Sequence, residues 1–401
     1  MLDQRFNPDV RKALASLLAH TAAHSPYYRG QAWAKSVRGG ASVALKNIPV
    51  TAKSLVREQP DRFYISAVPP SEGKIMSKYT SGSTGHPMEV RQTSKFYAIN
   101  DLERTRLLEG WGFERYSCGV VINNPDVEHP RGSTTSKYKK GGSIHQLYTS
   151  DAYEAVDFIA EKGAQVLHNR PSMCAAILQH AADRGIKLPL ALITTTSELV
   201  PDQFRMTVRS LPGCRLVDRY SAVETLLIAT ECAQCGAYHP ADRKLVLEVL
   251  DDNDKPVKAG KMGRIIVTSL FNLAMPLIRY EIGDYAVIAE ADTCPRASMS
   301  LTRIVGRERN VFKMPDGRKV MPWLDPEVAL SAGLHQFKMI QHSLAEIELL
   351  YIPHGTVELS SARAQELVEE HMGPGFNVKC TKVENLPPAP NGKYMMHECL
   401  I

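Results

Sequence analysis

The chain has 401 residues, 44% of them apolar and 23% charged, with a net charge of +5. Such a composition belongs to a globular protein of two or three domains and excludes a disordered or collagen-like chain. Lys and Arg are scattered, and no stretch approaches the roughly 20 apolar residues of a membrane span, so neither a nucleic-acid nor a membrane partner is expected. Met1 to Asn7 shows no apolar signal core, which predicts a cytoplasmic protein; a monomer or homodimer is expected. Eight cysteines in so long a chain do not form a disulfide framework in a reducing compartment.

Val10 to His24 reads as a helix, because Leu14, Leu17 and Leu18 fall on one face. Ser25-Pro26 and Ile48-Pro49 then mark an extended lead-in, since a residue before proline is pushed away from helix. It leads to Tyr79-Thr80-Ser81-Gly82-Ser83-Thr84-Gly85-His86-Pro87, a run too polar for a core. Its glycines let backbone N–H groups approach an anion, and Thr80, Ser81, Ser83 and Thr84 add hydroxyl donors. A flexible Gly/Ser linker is the plainer alternative, and a Walker A loop is excluded because no Gly-Lys-Ser/Thr follows. Lys95 to Glu109 is a predicted helix carrying Tyr97, Leu102, Leu107 and Leu108.

A βα alternation follows: strand Cys118 to Asn123, helix Ala152 to Lys162, strand Gln165 to His168, helix Met173 to Arg184, strand Ala191 to Thr195, helix Asp202 to Leu211, strand Arg215 to Arg219. Asp151 with Glu154 reads as a capping box, Ser172 as a helix start, and Gly163, Gly185 and Gly213 as helix stops. The pattern predicts a parallel sheet flanked by helices, with ligands beyond the carboxyl ends of its strands. Thr194 to Glu198 and Tyr220 to Glu224 should emerge there, which makes both candidate sites.

Beyond Leu245 the texture becomes antiparallel: strands Leu245 to Leu250, Gly263 to Ser269, Leu277 to Tyr280 and Tyr285 to Ile288. A last α+β region carries a Pro315-Asp316-Gly317 turn, a helix over Ser361 to His371, a strand over Asn377 to Val383 and a Pro-rich approach to Lys393. The expected fold is therefore α/β: a large N-terminal domain over 1–304, with parallel βα-flanked sheets and a small antiparallel β-module at about 231–304, plus a small mobile C-terminal α+β domain over 305–401. Ile304 to Glu308, where the β-module should give way to a basic turn, is the expected boundary. Cys232-x₂-Cys235-x₃-His239, with Cys294 downstream, has the ligand chemistry of one tetrahedral metal, a redox dithiol being the rival reading. Cys118, Cys174, Cys214, Cys380 and Cys399 read as buried small apolar residues.

In their order these motifs resemble the adenylate-forming ligase superfamily, and within it the phenylacetate-CoA ligase-like branch. Tyr79 to Pro87 is similar to its phosphate loop, Tyr220 to Glu224 to its aromatic-to-glutamate motif, and Met275-Pro276-Leu277-Ile278-Arg279-Tyr280-Glu281-Ile282-Gly283-Asp284 to its ribose-binding segment. Gly306-Arg307 resembles the interdomain hinge and Asn391-Gly392-Lys393 the catalytic lysine motif. The resemblance implies an enzyme that joins a carboxylic acid to ATP as acyl-AMP, releases pyrophosphate and passes the acyl group to coenzyme A. An amine acceptor, giving an amide, is the alternative, and a non-catalytic nucleotide- or acyl-adenylate-binding relative is another.

By the same resemblance Thr80, Ser81, Gly82, Ser83, Thr84 and Gly85 would hold the leaving phosphates, and Glu224 would carry Mg²⁺. Asp284 and Arg307 would bind the ribose and Tyr220 would stack on adenine, with Ser197, Glu198, Arg219 and Ser221 completing the nucleotide site. Lys393 would bridge the substrate carboxylate and the α-phosphate. Thr80, Glu224 and Lys393 are thus the expected catalytic residues, and Cys232, Cys235, His239 and Cys294 the ligands of a structural Zn²⁺. His86 stands where the phosphate loop commonly has lysine, and Asn123 to Gly142 departs from the branch's acyl-pocket segment, which implies a different acid.

Overall fold

The computed structural model describes residues 7–80, 87–111, 118–125, 129–137, 142–232, 234–290, 294, 299–307, 311–314, 316–320, 322, 324, 326–353, 358–386 and 396–401. In chain order the elements are α1 (Pro8–His24), α2 (Ala32–Arg38), α3 (Lys53–Glu58), β1 (Ile75–Tyr79), β2 (Glu89–Thr93), α4 (Ser94–Gly110), β3 (Gly119–Asn123), β4 (Gly132–Lys137), β5 (Ser143–Tyr148), α5 (Ala152–Lys162), β6 (Val166–Asn169), α6 (Pro171–Asp183), β7 (Leu192–Thr195) and α7 (Asp202–Arg209). There follow β8 (Arg215–Ala222), β9 (Leu226–Glu231), β10 (Tyr238–Pro240), β11 (Leu245–Leu250), β12 (Met262–Ser269), β13 (Tyr280–Ile288), β14 (Leu301–Arg307), β15 (Phe312–Lys313), β16 (Lys319–Val320), α8 (Pro326–Ser331), β17 (Leu334–Gln341), β18 (Glu346–Pro353), α9 (Ser361–Met372), β19 (Asn377–Lys382) and β20 (His397–Cys399). Among the described residues no helix is long and apolar enough to cross a membrane.

The chain forms two compact units, one of Met1–Ser117, Lys139–Gly142 and Val217–Ile304, the other of Cys118–Tyr138, Ser143–Leu216 and Val305–Ile401. In the first unit strands run in the order β11-β12-β13-β14-β10-β9-β8, and β1 and β2 form a separate hairpin. The antiparallel pairing of β11, β12 and β13 is the texture expected from alternation after Leu245. Asn7 caps α1, its side chain accepting from Asp9 N, and Val10, Leu14, Leu17 and Leu18 turn inward. They meet Tyr28, Ile48, Ile278 and Tyr280 in one core.

One expectation fails in this unit. Leu277 to Tyr280 is not a strand of its own: β13 runs unbroken from Tyr280 through Asp284, because the turn falls at Arg279 instead. There the backbone is left-handed, φ +45°, and the side chain explains why a non-glycine accepts it. The Arg279 guanidinium is buried and forked onto Glu248 (Nε–Oε2 3.0 Å, Nη2–Oε1 3.2 Å), with Nη1 donating to the Ile48 carbonyl at 2.6 Å. On α4, Leu102 is exposed, while Phe96, Asn100 and Glu103 are buried.

In the second unit β3 pairs parallel with both β5 and β6, and β6 parallel with β7, giving the order β7-β6-β3-β5-β4. The parallel sheet read from the βα alternation is present, and β5 and the exposed edge strand β4 add to it. Asp151 caps α5 through Tyr153 N, and Gly163 ends it at φ +58°. Glu154 does not close a capping box, because Thr149 and Arg131 hold its carboxylate. α6 begins at Pro171 rather than after Ser172, a proline at the first helical position needing no N–H. Only Cys174 of the five cysteines expected to be buried is fully so, and Cys118, Cys214, Cys380 and Cys399 are half-buried.

Val305–Ile401 builds a sheet in the order β19-β18-β17-β20 and an apolar core of its own around Phe312, Met339, Leu349 and Leu367. β14 continues as strand through Arg307, so the basic turn expected at Ile304 does not begin there.

Removing the fork should expose how much rests on it. Arg279→Met leaves Glu248 without its partner and the left-handed turn without its anchor, so a urea melt is expected to show a loss of about 3 kcal/mol or more.

Candidate active site

Strand β8 carries Tyr220, and a register shift between Tyr220 and Ser221 turns the chain before it closes onto β9. Glu224 occupies the turn between these strands and does not open a helix. Tyr220 and Ser221 lie within β8, not beyond its end. Three side chains fasten the turn from behind. Gln92 of β2 donates to the Val223 carbonyl at 2.7 Å, Asn100 of α4 accepts from Leu227 N at 3.1 Å, and Lys244 donates to the Thr225 and Leu227 carbonyls at 2.7 and 2.8 Å.

In front of the turn, Glu224 is 2% exposed. Its Oε1 accepts from the Tyr280 hydroxyl at 3.0 Å and pairs with Lys53 Nζ at 3.0 Å. Burial, with the Glu224 carboxylate second, pushes the Tyr280 phenol well above its ordinary range, so it stays a donor. Four residues along β13, the Asp284 carboxylate accepts from the Tyr220 hydroxyl at 2.6 Å. The sheet thus brings together Tyr220, Glu224 and Asp284, which are remote in sequence. Tyr280, Lys53 and Gln92 were missed by sequence reasoning. Tyr280 lay inside a recognised segment, whereas a lysine so near the N-terminus carried no signal.

Lys53 reaches the site because the segment before it is built into the sheet. Thr51 N donates to the Arg279 carbonyl at 2.8 Å and Glu281 N to the Thr51 carbonyl at 3.0 Å. The buried Tyr28 hydroxyl sits 3.1 Å from Thr51 Oγ1 and accepts from Ile278 N at 3.2 Å.

At the hairpin, Thr80 N donates to the Met88 carbonyl at 3.0 Å, and Met88 N donates to Thr80 Oγ1 at 2.9 Å, closing the base of the polar loop. Ser81, Gly82, Ser83, Thr84, Gly85 and His86 lie outside the described residues, as do Lys393 and the side chain of Arg307. Arg219 is half-buried on β8, and the partial removal of its guanidinium from water pulls it down to about 9. In the second unit Ser197 has φ +73°, and Glu198 accepts from Ser172 N at 3.2 Å with Arg170 Nη1 at 3.8 Å.

Cys232 and Cys235 occupy the turn from β9 to β10, where Cys232 N donates to the Ala237 carbonyl and Gly236 N to the Cys232 carbonyl. His239 lies on β10, and pairing of β10 with β14 draws in Cys294, far away in sequence. The ligand atoms of Cys232, Cys235, His239 and Cys294 lie within 4.8 Å of one another. Thiolates around a tetrahedral zinc stand about 3.8 Å apart, so this set fits that ion in donor type and spacing.

No family model matches the chain. It is 25% identical over 288 residues to the phenylacetate-coenzyme A ligase of Thermus thermophilus, an alignment covering 66% of this chain and 61% of that one, so the chain spans about three fifths of that relative's length. The crystal structure of a 2-hydroxyisobutyryl-CoA ligase in the postadenylation state, in complex with R3-HIB-AMP, superposes with a TM-score of 0.71 at 16% identity, covering 98% of this chain and 88% of that chain. An anthranilate CoA ligase in complex with anthranoyl-AMP gives 0.59 at 18% identity, covering 80% and 66%. At such identities the likeness is one of fold.

Lys244 offers a measurable consequence. Burial pulls its ammonium down to about 7 from 10.5, against Glu103. The unfolded chain therefore binds the extra proton between these values, so the lysine's contribution to stability rises with pH from about 7 towards 10.5 and levels off below about 7. Lys244→Met takes the donor away from the Thr225 and Leu227 carbonyls and should cost about 2 to 4 kcal/mol. Urea melts at pH 7 and 9.5 should show a larger gap between wild type and variant at the higher pH.

Proposed function

We propose, from the chain's place in the adenylate-forming ligase superfamily and its phenylacetate-CoA ligase-like branch, that it activates a carboxylic acid with ATP and transfers the acyl group to coenzyme A. The observation that carries this reading is the pair of hydrogen-bonded carboxylates on one sheet: Asp284 held by Tyr220, and Glu224 held by Tyr280 and Lys53. A substrate carboxylate oxygen attacks the α-phosphorus, and pyrophosphate leaves with the electron pair of the broken P–O bond. The coenzyme A thiolate then adds to the acyl carbonyl, and AMP leaves. Both steps bring anions together, so the protein's share is positioning and charge neutralisation.

Asp284, oriented by Tyr220, accepts the ribose hydroxyls, and the Tyr220 ring faces adenine, with Arg219 and Ser221 on the same strand. Ser197 and Glu198 border the nucleotide, and Arg307 meets the ribose. Thr80 to Gly85 cradle the leaving phosphates. Glu224 offers a hard oxygen of the kind Mg²⁺ takes from one or two carboxylates alongside substrate phosphates. Bound there, that ion would neutralise charge on the phosphates. Lys393 supplies a point charge to the α-phosphate oxygens in the first step, and the chain around Gly306 serves as the pivot of a C-terminal domain over 305–401. The names of the phenylacetate and anthranilate ligases favour an aromatic acid. Cys232, Cys235, His239 and Cys294 hold a structural zinc.

Purified protein with ATP, a panel of aromatic acids and coenzyme A is expected to release pyrophosphate only when an accepted acid is present and to yield the acyl-CoA mass. An amide mass with an amine, and no thioester, would assign the amide-forming reaction instead. Lys393→Ala should slow pyrophosphate release by about 10² to 10³ while still consuming synthetic acyl-adenylate. Normal adenylate formation by this variant would show that Lys393 has no part in the step.

Elemental analysis is expected to find about one zinc per chain, lost in Cys232→Ser together with thermal stability. A folded protein free of zinc would remove the metal site.

A further inference from the structure

Lys53 stands at the first position of α3, and its placement is not that of a surface lysine. The parallel bridge from Thr51 to Tyr280 fixes the backbone just before it. Its stem passes over Gly283, where an added Cβ would lie 3.7 Å from Lys53 Cδ, and its Nζ donates to the Ile282 carbonyl at 3.0 Å. From there it pairs with Glu224 Oε1 at 3.0 Å. The two partners differ in environment: the Glu224 side chain is 3% exposed and that of Lys53 38%.

A carboxylate removed from water needs a counter-charge. The Tyr280 hydroxyl on the same oxygen supplies a hydrogen bond but no charge. We propose that Lys53 is the resident counter-cation of Glu224, and that a divalent metal ion reaches this carboxylate only by displacing it. The inference rests on the reading of Glu224 as the residue that carries the metal. Two cations held at one carboxylate repel each other strongly in a half-buried site, so the ammonium and the metal compete. The solvent-facing lysine can swing away, while the buried carboxylate stays. Without nucleotide, the metal then has to pay out the lysine's ion pair, and its affinity is low.

Mn²⁺ binding to the nucleotide-free, otherwise as-purified protein, read from the electron-spin resonance of free Mn²⁺, tests this without turnover. Lys53→Met and Lys53→Gln are each expected to bind Mn²⁺ roughly five- to tenfold more tightly than wild type. Adding Glu224→Gln to either should abolish the gain. Equal or weaker Mn²⁺ binding in both lysine variants, with circular dichroism showing them folded, would overturn the proposal, as would a gain that survives Glu224→Gln. Acid-dependent pyrophosphate release by the same wild-type preparation decides the ligase reading separately, because the Mn²⁺ result does not depend on it.

Discussion

Arg279 combines a buried guanidinium with a left-handed backbone, and the part of the first unit that holds Glu224 and Asp284 hangs on that combination. The turn it makes starts β13 at Tyr280, so that Tyr280, Ile282 and Asp284 follow in strand geometry. Its guanidinium simultaneously takes the Ile48 carbonyl, which brings the N-terminal segment alongside the strand. One residue thereby sets the position of Tyr280 against Glu224, of Asp284 against Tyr220, and of Lys53 against both Glu224 and Ile282. A left-handed non-glycine costs on the order of 1–3 kcal/mol, and here the fork to Glu248 offsets it.

The turn bearing Glu224 is held in a complementary way. Its backbone carbonyls face Gln92 and Lys244, so the Glu224 side chain can be directed to Tyr280 and Lys53 while the main chain stays satisfied. Polar groups from β2, α4 and the stretch before β11 converge on it, and none of them is in the recognised motif itself. The motif residues present the carboxylates, and their neighbours fix the geometry.

Much of this was legible in the sequence where a local rule governs. The βα alternation announced the parallel sheet because each helix shows its own caps and apolar face, and the hydrophobic alternation after Leu245 announced the antiparallel strands. The cysteine spacing announced a cluster that β10 and β14 assemble. What escaped was governed by tertiary contacts. The break at Arg279 depends on Glu248 and Ile48, so no window of sequence around it reveals that β13 begins one residue later. Lys53 has an ordinary setting in sequence, and only the pairing of Thr51 with β13 gives it a role. β4 was missed because a strand of small hydroxyl residues, Gly132 to Lys137, lies wholly exposed and shows no apolar alternation.

The two apolar cores of the sheets also differ in how they draw on the chain. One gathers residues from Val120 to Val208 in a single run, whereas the other joins Val10 to Val90 with Leu227 to Ile304. A chain emerging from the ribosome therefore presents Val10 to Val90 before Leu227 to Ile304 is made, while the parallel sheet can close as soon as α7 is out. The core begun first can thus be completed only after the one begun second, and until then Leu14, Leu17 and Leu18 have only the neighbouring segment around Tyr28 and Trp33 to pack against.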